Sequence, residues 1–251
     1  MPAAFQETLS NLLNSKSTQT TEVLLNSQER YLMRAWKRYH KALAKPESPG
    51  DLLGAKDYLT ERGIFTNRVI GEYGLGVVLI PLAGDERFTG MLSIPYLTRN
   101  GIKALKFRNL NPDAKPKYAQ RAGQEVRLYN TKAYFAATDV IGIAEGEMDA
   151  IVATERLGIP TIGIPGAEMW KAHKEFWAPV FRNFQKVLVF RDGDDAGKSL
   201  AEAVTDSLGY RARVIDPPDG EDVGSMVGSG RAGELTAKLA ADDEEEGEED
   251  D

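Results

Sequence analysis

The sequence predicts an α/β protein built in parts. An N-terminal helical segment (1–50) and a basic α+β region (51–137) precede a mostly parallel four-stranded sheet with helices on both faces (138–230); a short helix and a disordered acidic tail (231–251) end the chain. Three observations predict it. From residue 138 short apolar runs alternate with helix-length segments, the pattern of parallel strands joined by crossovers. Two of those runs, "VIGIA" and "KVLVF", lead straight into turns rich in glycine and acid. Residues 99–132 hold nine Lys/Arg against only Asp113 and Glu125, within and around a strand-type run.

The elements follow in order. Residues 5–45 read as helices, and "ERYLMRAWKRYHKALAK" (29–45) repeats Leu32, Trp36, Tyr39 and Leu43 at helical spacing. Arg30, Arg34, Lys37, Arg38 and Lys41 repeat on another face, which suits a packing or docking helix more often than a template contact. "PESPGD" (46–51) breaks the pattern. "LLGAKDYLTERGI" is a short helix stopped by glycine; "GVVLIPLA", "GMLSIPYLT" and "IKALKFRNL" are strand candidates. Then come strand "VIGIA" (140–144), helix "MDAIVATERLG", strand "PTIGI" (160–164) and helix "AEMWKAHKEFWAPVFRNF". Strand "KVLVF" (186–190), a helix over 195–208 and strand "RARVI" (211–215) complete the unit. Trp170 and Trp177 lie two turns apart on one helix face and read as core.

Composition narrows the chemistry. No segment has the apolar length of a membrane helix, and the polar start does not resemble a signal peptide. There is no cysteine, and only His40 and His173, so these 251 residues cannot build a Cys/His zinc site. A metal here must be a hard ion with oxygen ligands. The net charge of −7 is misleading, because nine acids crowd residues 242–251; without them the balance is 31 basic to 29 acidic residues.

"FRDGDDAGKS" (190–199) poses a choice between a phosphate loop and a carboxylate site. A P-loop needs glycine at 192, which is Asp192, and Asp194 and Asp195 would repel a phosphate cradled there. The carboxylate reading fits better. Asp192 and Asp194 follow one strand and Glu145 another, and parallel strands share one carboxyl edge, where α/β sites form. Three carboxylates converging there suit Mg²⁺. The bland alternative is that such acids cap helices, the role expected of Asp149 and Asp195.

"EGEMDA" followed by "DGDDAG" resembles the Toprim signature, found in DnaG-type primases, topoisomerases and some nucleases. "PPDGEDVGSMV" (217–227) is similar to a segment of DnaG-type primases and offers Asp219 and Asp222 as further acids near the metals; Gly166 matches the glycine after the second Toprim strand. Upstream, "YLTERGIFTNRVIGEYGLGVV" (58–78) and residues 94–130 resemble the primase core itself. That resemblance assigns Lys106, Arg108, Lys117, Tyr118 and Gln120 to nucleotide and template binding; Gln120 stands where the pattern has Asn. It covers roughly residues 52–230.

The resemblance implies a DNA primase catalytic core, phage-like, making short RNA primers from ribonucleoside triphosphates on single-stranded DNA. Glu145, Asp192 and Asp194 would be catalytic and, with Asp219 and Asp222, would hold Mg²⁺ or Mn²⁺; no zinc is expected. A replicative helicase and a separate zinc-ribbon polypeptide are the implied protein partners, and a bacterial or phage-infected cytoplasm the setting, with no membrane. The rivals are a Toprim nuclease, against which the upstream basic motifs argue, and a non-catalytic single-strand-binding subunit, against which the complete set of acids argues.

Overall fold

The computed structural model describes residues 16–45 and 52–239. The expected helix before residue 16, the break at 46–51 and the acidic tail lie outside them. Helix α1 (Lys16–Ala44) is followed by α2 (Leu53–Glu61) and α3 (Asn67–Tyr73). An antiparallel sheet comes next, ordered β1-β2-β3-β4: β1 (Gly76–Val77), β2 (Leu92–Thr98), β3 (Gly101–Arg108) and β4 (Tyr118–Gln120). "GVVLIPLA" forms a strand only at Gly76–Val77. The Leu79 amide turns back to the Val77 carbonyl (3.1 Å), and Pro81, which has no N–H, cannot continue a ladder.

Alternation on β3 separates two environments. Leu105 and Phe107 pack with Leu32, Ala35 and Tyr39 of α1. Lys106 and Arg108 point the other way, toward Glu147 and Tyr118. Helix α1 is held against the sheet by Asp85, fully buried, which accepts hydrogen bonds from the Tyr31 and Tyr39 hydroxyls and from Arg121.

After α4 (Ala133–Ala136) the chain enters the second sheet, all parallel, in the order β6-β5-β7-β8. Its strands are β5 (Val140–Glu145), β6 (Thr161–Ile164), β7 (Lys186–Phe190) and β8 (Ala212–Ile215). Ile141, Ile143, Val187 and Val189 bury against α6 (Ala167–Phe181) and α7 (Asp195–Leu208), around Trp170, Phe181, Leu200 and Val204. Ala144, Leu188 and Phe190 face the other way and meet α5 (Glu147–Val152) and α8 (Val223–Gly228). The sheet is therefore covered on both faces, as expected of continuously apolar parallel strands. The helix expected over "MDAIVATERLG" starts one residue earlier, at Glu147, and its last turn, Ala153–Leu157, widens to a π turn before Gly158. A final helix covers 232–239. Among the described residues no helix is long and apolar enough to cross a membrane.

Candidate active site

The strand order places a reversal between β5 and β7: the chain leaves β5 for β6 on one side, then returns to β7 on the other. Crevices at the carboxyl ends of strands form at such points. Glu145 is the last residue of β5, and Asp192 and Asp194 lie just past β7. Asp192 is pushed up to about 8 by desolvation first, then by Asp149, Glu145, Asp222 and Asp194. Glu145 is raised by burial, then by Asp194 and Asp149. Five carboxylates from three chain segments thus share one electrostatic environment.

Two loops build it. Gly193 donates to the Glu221 carbonyl and Gly220 to the Gly193 carbonyl, each at 2.7 Å, which ties the "DGD" turn to "PDGED". A Cβ at Gly193 would sit 2.2 Å from the Pro218 carbonyl oxygen, so only glycine allows the approach. Gly197 is likewise required by packing, since its Cβ would lie 2.2 Å from the Asp192 carbonyl oxygen. The glycine of "GKS" serves closeness to Asp192 rather than a phosphate.

The acids play unequal parts. Asp194 caps α7, its Oδ1 accepting from the Gly197 amide at 2.8 Å. Asp195 is exposed in the first turn. Asp222 caps α8, with Oδ1 accepting from the Ser225 amide (2.6 Å) and Oδ2 from Arg62 (3.0 Å). Despite its desolvation, Arg62 and the amide and hydroxyl of Ser225 hold its carboxyl below the usual range. Asp219 is exposed on the neighbouring loop. Asp149, expected only to cap, is buried and accepts from Arg62 Nη1 and the Gly224 amide, both at 3.0 Å; burial raises it even so.

Do these residues suit a hard cation? Glu145 Oε2 is buried with no hydrogen-bond partner, and Asp192 stands among like charges that penalise its ionised form. Both features favour a positive charge in the crevice, and the donors are all oxygen. Among the described residues no three carboxylate or histidine side chains form a ready-made metal-binding group, so ligation requires side-chain adjustment.

Across the crevice stands the basic sheet. Lys106 Nζ lies 2.7 Å from Glu147 Oε1 and 4.5 Å from the Tyr118 ring centroid. The Arg108 guanidinium lies 4.4 Å and 5.0 Å from the Tyr58 and Tyr118 ring centroids and donates to the Tyr118 hydroxyl at 2.6 Å. Lys117 and Gln120 are exposed. A cavity of about 340 Å³ opens beside them, lined by Tyr96, Lys106, Tyr118, Gln120, Arg127 and Pro165 among others. Sequence reasoning missed Arg62, Glu147, Tyr58 and Tyr96. "EGEMDA" held a signal for Glu147, an acid at every second position; nothing local linked Arg62 to acids 87 and 160 residues away.

No protein-family model matches the chain. The Gene 57 protein of Mycobacterium phage D29 is 43% identical over 147 residues, 57% of this chain and 93% of that protein. A DnaG primase catalytic domain bound to single-stranded DNA matches with TM-score 0.62 and 22% identity, over 86% of this chain and 80% of that one. The RNA polymerase domain of Mycobacterium tuberculosis primase DnaG matches with TM-score 0.61 and 19% identity, over 83% and 81%.

Proposed function

This chain belongs to the same family as the Gene 57 protein of Mycobacterium phage D29 and has the fold of DnaG-type primase catalytic cores; from that premise we propose that it is a primase. The proposed reaction is template-directed joining of ribonucleoside triphosphates on single-stranded DNA, in a Toprim-type site. One observation carries the reading: Glu145 ends β5 and Asp192 follows the adjacent parallel strand β7 at the sheet's reversal, opposite a basic, aromatic strand. Acids alone would suit any metal-assisted phosphoryl chemistry; the facing Lys106, Arg108, Lys117 and Tyr118 favour polymerisation.

Glu145, Asp192 and Asp194 would hold Mg²⁺ or Mn²⁺, which would neutralise triphosphate charge and favour attack by a 3′-hydroxyl. The protein's own residues supply position. Lys117, exposed next to Tyr118 in sequence, offers a flexible cation to phosphate. Arg108 is fixed among rings and keeps Tyr118 in place beside the cavity. Glu147 anchors Lys106, and Arg62 braces Asp149 and Asp222 behind the acids. Binding and orientation are then most of the catalysis, as in other phosphoryl transfers.

The test is incubation with single-stranded DNA, labelled ribonucleotides and Mg²⁺ or Mn²⁺. RNA products are expected. Shortened DNA instead would assign the site to a nuclease, and neither product to a binding subunit.

A further inference from the structure

Helix α1 carries a basic face that the candidate site does not use. At about 100° per residue, Arg30, Arg34, Lys37, Arg38 and Lys41 fall within an arc of roughly 100°. Leu32, Ala35, Tyr39 and Leu43 occupy the opposite side and are buried. All five cations are exposed, and none has an ion-pair partner among the described residues. The acid next to them, Glu29, is occupied by Lys103 at 2.7 Å. A merely solvated helix face usually mixes both signs; this one does not.

We propose that this face of α1 is a second nucleic-acid-binding surface, gripping the phosphate backbone without reading sequence. Arg30, Arg34 and Arg38 rise by about 6 Å per step, as do Lys37 and Lys41, giving two rows of cations along one side of the helix. A regular row of like charges matches a regular polyanion. An acidic protein would be a poorer occupant, because among the described side chains of α1 (27–44) no large apolar residue is exposed to anchor it. The helix is rigidly seated: Tyr31 and Tyr39 both donate to buried Asp85. It also lies on the face of the first sheet opposite Lys106 and Arg108. The surface is therefore separate from the acid crevice and would hold a strand outside it, raising local concentration and retention. The inference rests on the proposed function only in taking nucleic acid as the polyanion.

The experiment measures binding without chemistry: anisotropy of labelled oligonucleotides with the full chain, in EDTA and without nucleotides, over a salt series. Wild type is compared with Arg34→Gln/Arg38→Gln/Lys41→Gln, and with Arg34→Lys/Arg38→Lys as a charge-keeping control; circular dichroism checks the helix. Neutralising three contacts should reduce the log–log salt slope on single strands by about 2 and weaken binding roughly ten- to a hundredfold. The lysine control should retain the wild-type slope. Arms with a single strand and with an RNA–DNA duplex tell template from product, and a charge-dependent loss in either supports the surface. Unchanged slope and affinity in the folded triple variant would overturn it. So would poly-glutamate binding as tightly as the oligonucleotide. If Asp192→Asn leaves synthesis intact, the primase reading fails while this binding result stands.

Discussion

Lys106 of β3 and Glu147 at the start of α5 meet in a largely buried pair, Nζ to Oε1 at 2.7 Å, with the Tyr96 hydroxyl donating to the same oxygen. Glu147 is 1% exposed, so these contacts take the place of the water it gives up. Replacing one member of a buried pair strands the other. Lys106→Met should cost about 3 kcal/mol of stability. The double variant with Glu147→Gln should lose less than the two singles combined, by more than about 1 kcal/mol. Denaturant unfolding of the four proteins measures this; additive losses would remove the pair from the account.

Glu145→Gln separates chemistry from folding. Its Oε2 is buried without a partner, and burial raises its carboxyl, so the ionised form is held at a cost to the fold. The variant should melt at or above the wild-type temperature while nucleotide incorporation falls by about a hundredfold or more. Calorimetry and a single-nucleotide incorporation assay check the two halves separately.

The pH dependence of stability in chelator-treated protein tests Asp192. Its carboxyl ionises at about 8 in the folded chain against an ordinary 3.8, so between those values the folded state binds the extra proton. The contribution of Asp192 is present at low pH and is lost as pH rises through that window. Asp192→Asn should therefore flatten the fall of stability between pH 5 and 8 and be the more stable protein at pH 8. A steeper fall in the variant would contradict the crowding of acids.

Arg108 and Lys117 should behave differently, although both belong to the basic face. Arg108 is 8% exposed and sits against Tyr58 and Tyr118, so Arg108→Ala should destabilise by about 2 kcal/mol. Lys117→Ala should leave stability unchanged and lower the salt slope of single-strand binding by about 0.7. Thermal melts and salt titrations of both variants distinguish them.

Much of this was legible in the sequence. "KVLVF" and "VIGIA" form neighbouring parallel strands, and the acids after them perturb one another, because apolar runs between helices leave little freedom in direction or edge. The helix over 195–208 agrees with α7 residue for residue. "GVVLIPLA" misled because its apolar residues serve a turn around Leu79, with Ile80 exposed, and not a continuous ladder. The division of labour among acids was hidden, since capping by Asp222 and burial of Asp149 both depend on Arg62 from a distant helix end. The resemblance assigns Arg108 to nucleotide and template binding; its stacking on Tyr58, 50 positions upstream, has no local signal.

Template-directed incorporation of a single nucleotide tests the central claim most directly. The chain and its Asp192→Asn variant are each given a short RNA annealed to DNA, Mg²⁺ or Mn²⁺, and one ribonucleoside triphosphate at a time, with the next template base varied. The account predicts that wild type adds only the nucleotide complementary to that base, and that the variant adds it at least a hundredfold more slowly. Addition regardless of the template base, or equal rates in the two proteins, would contradict it.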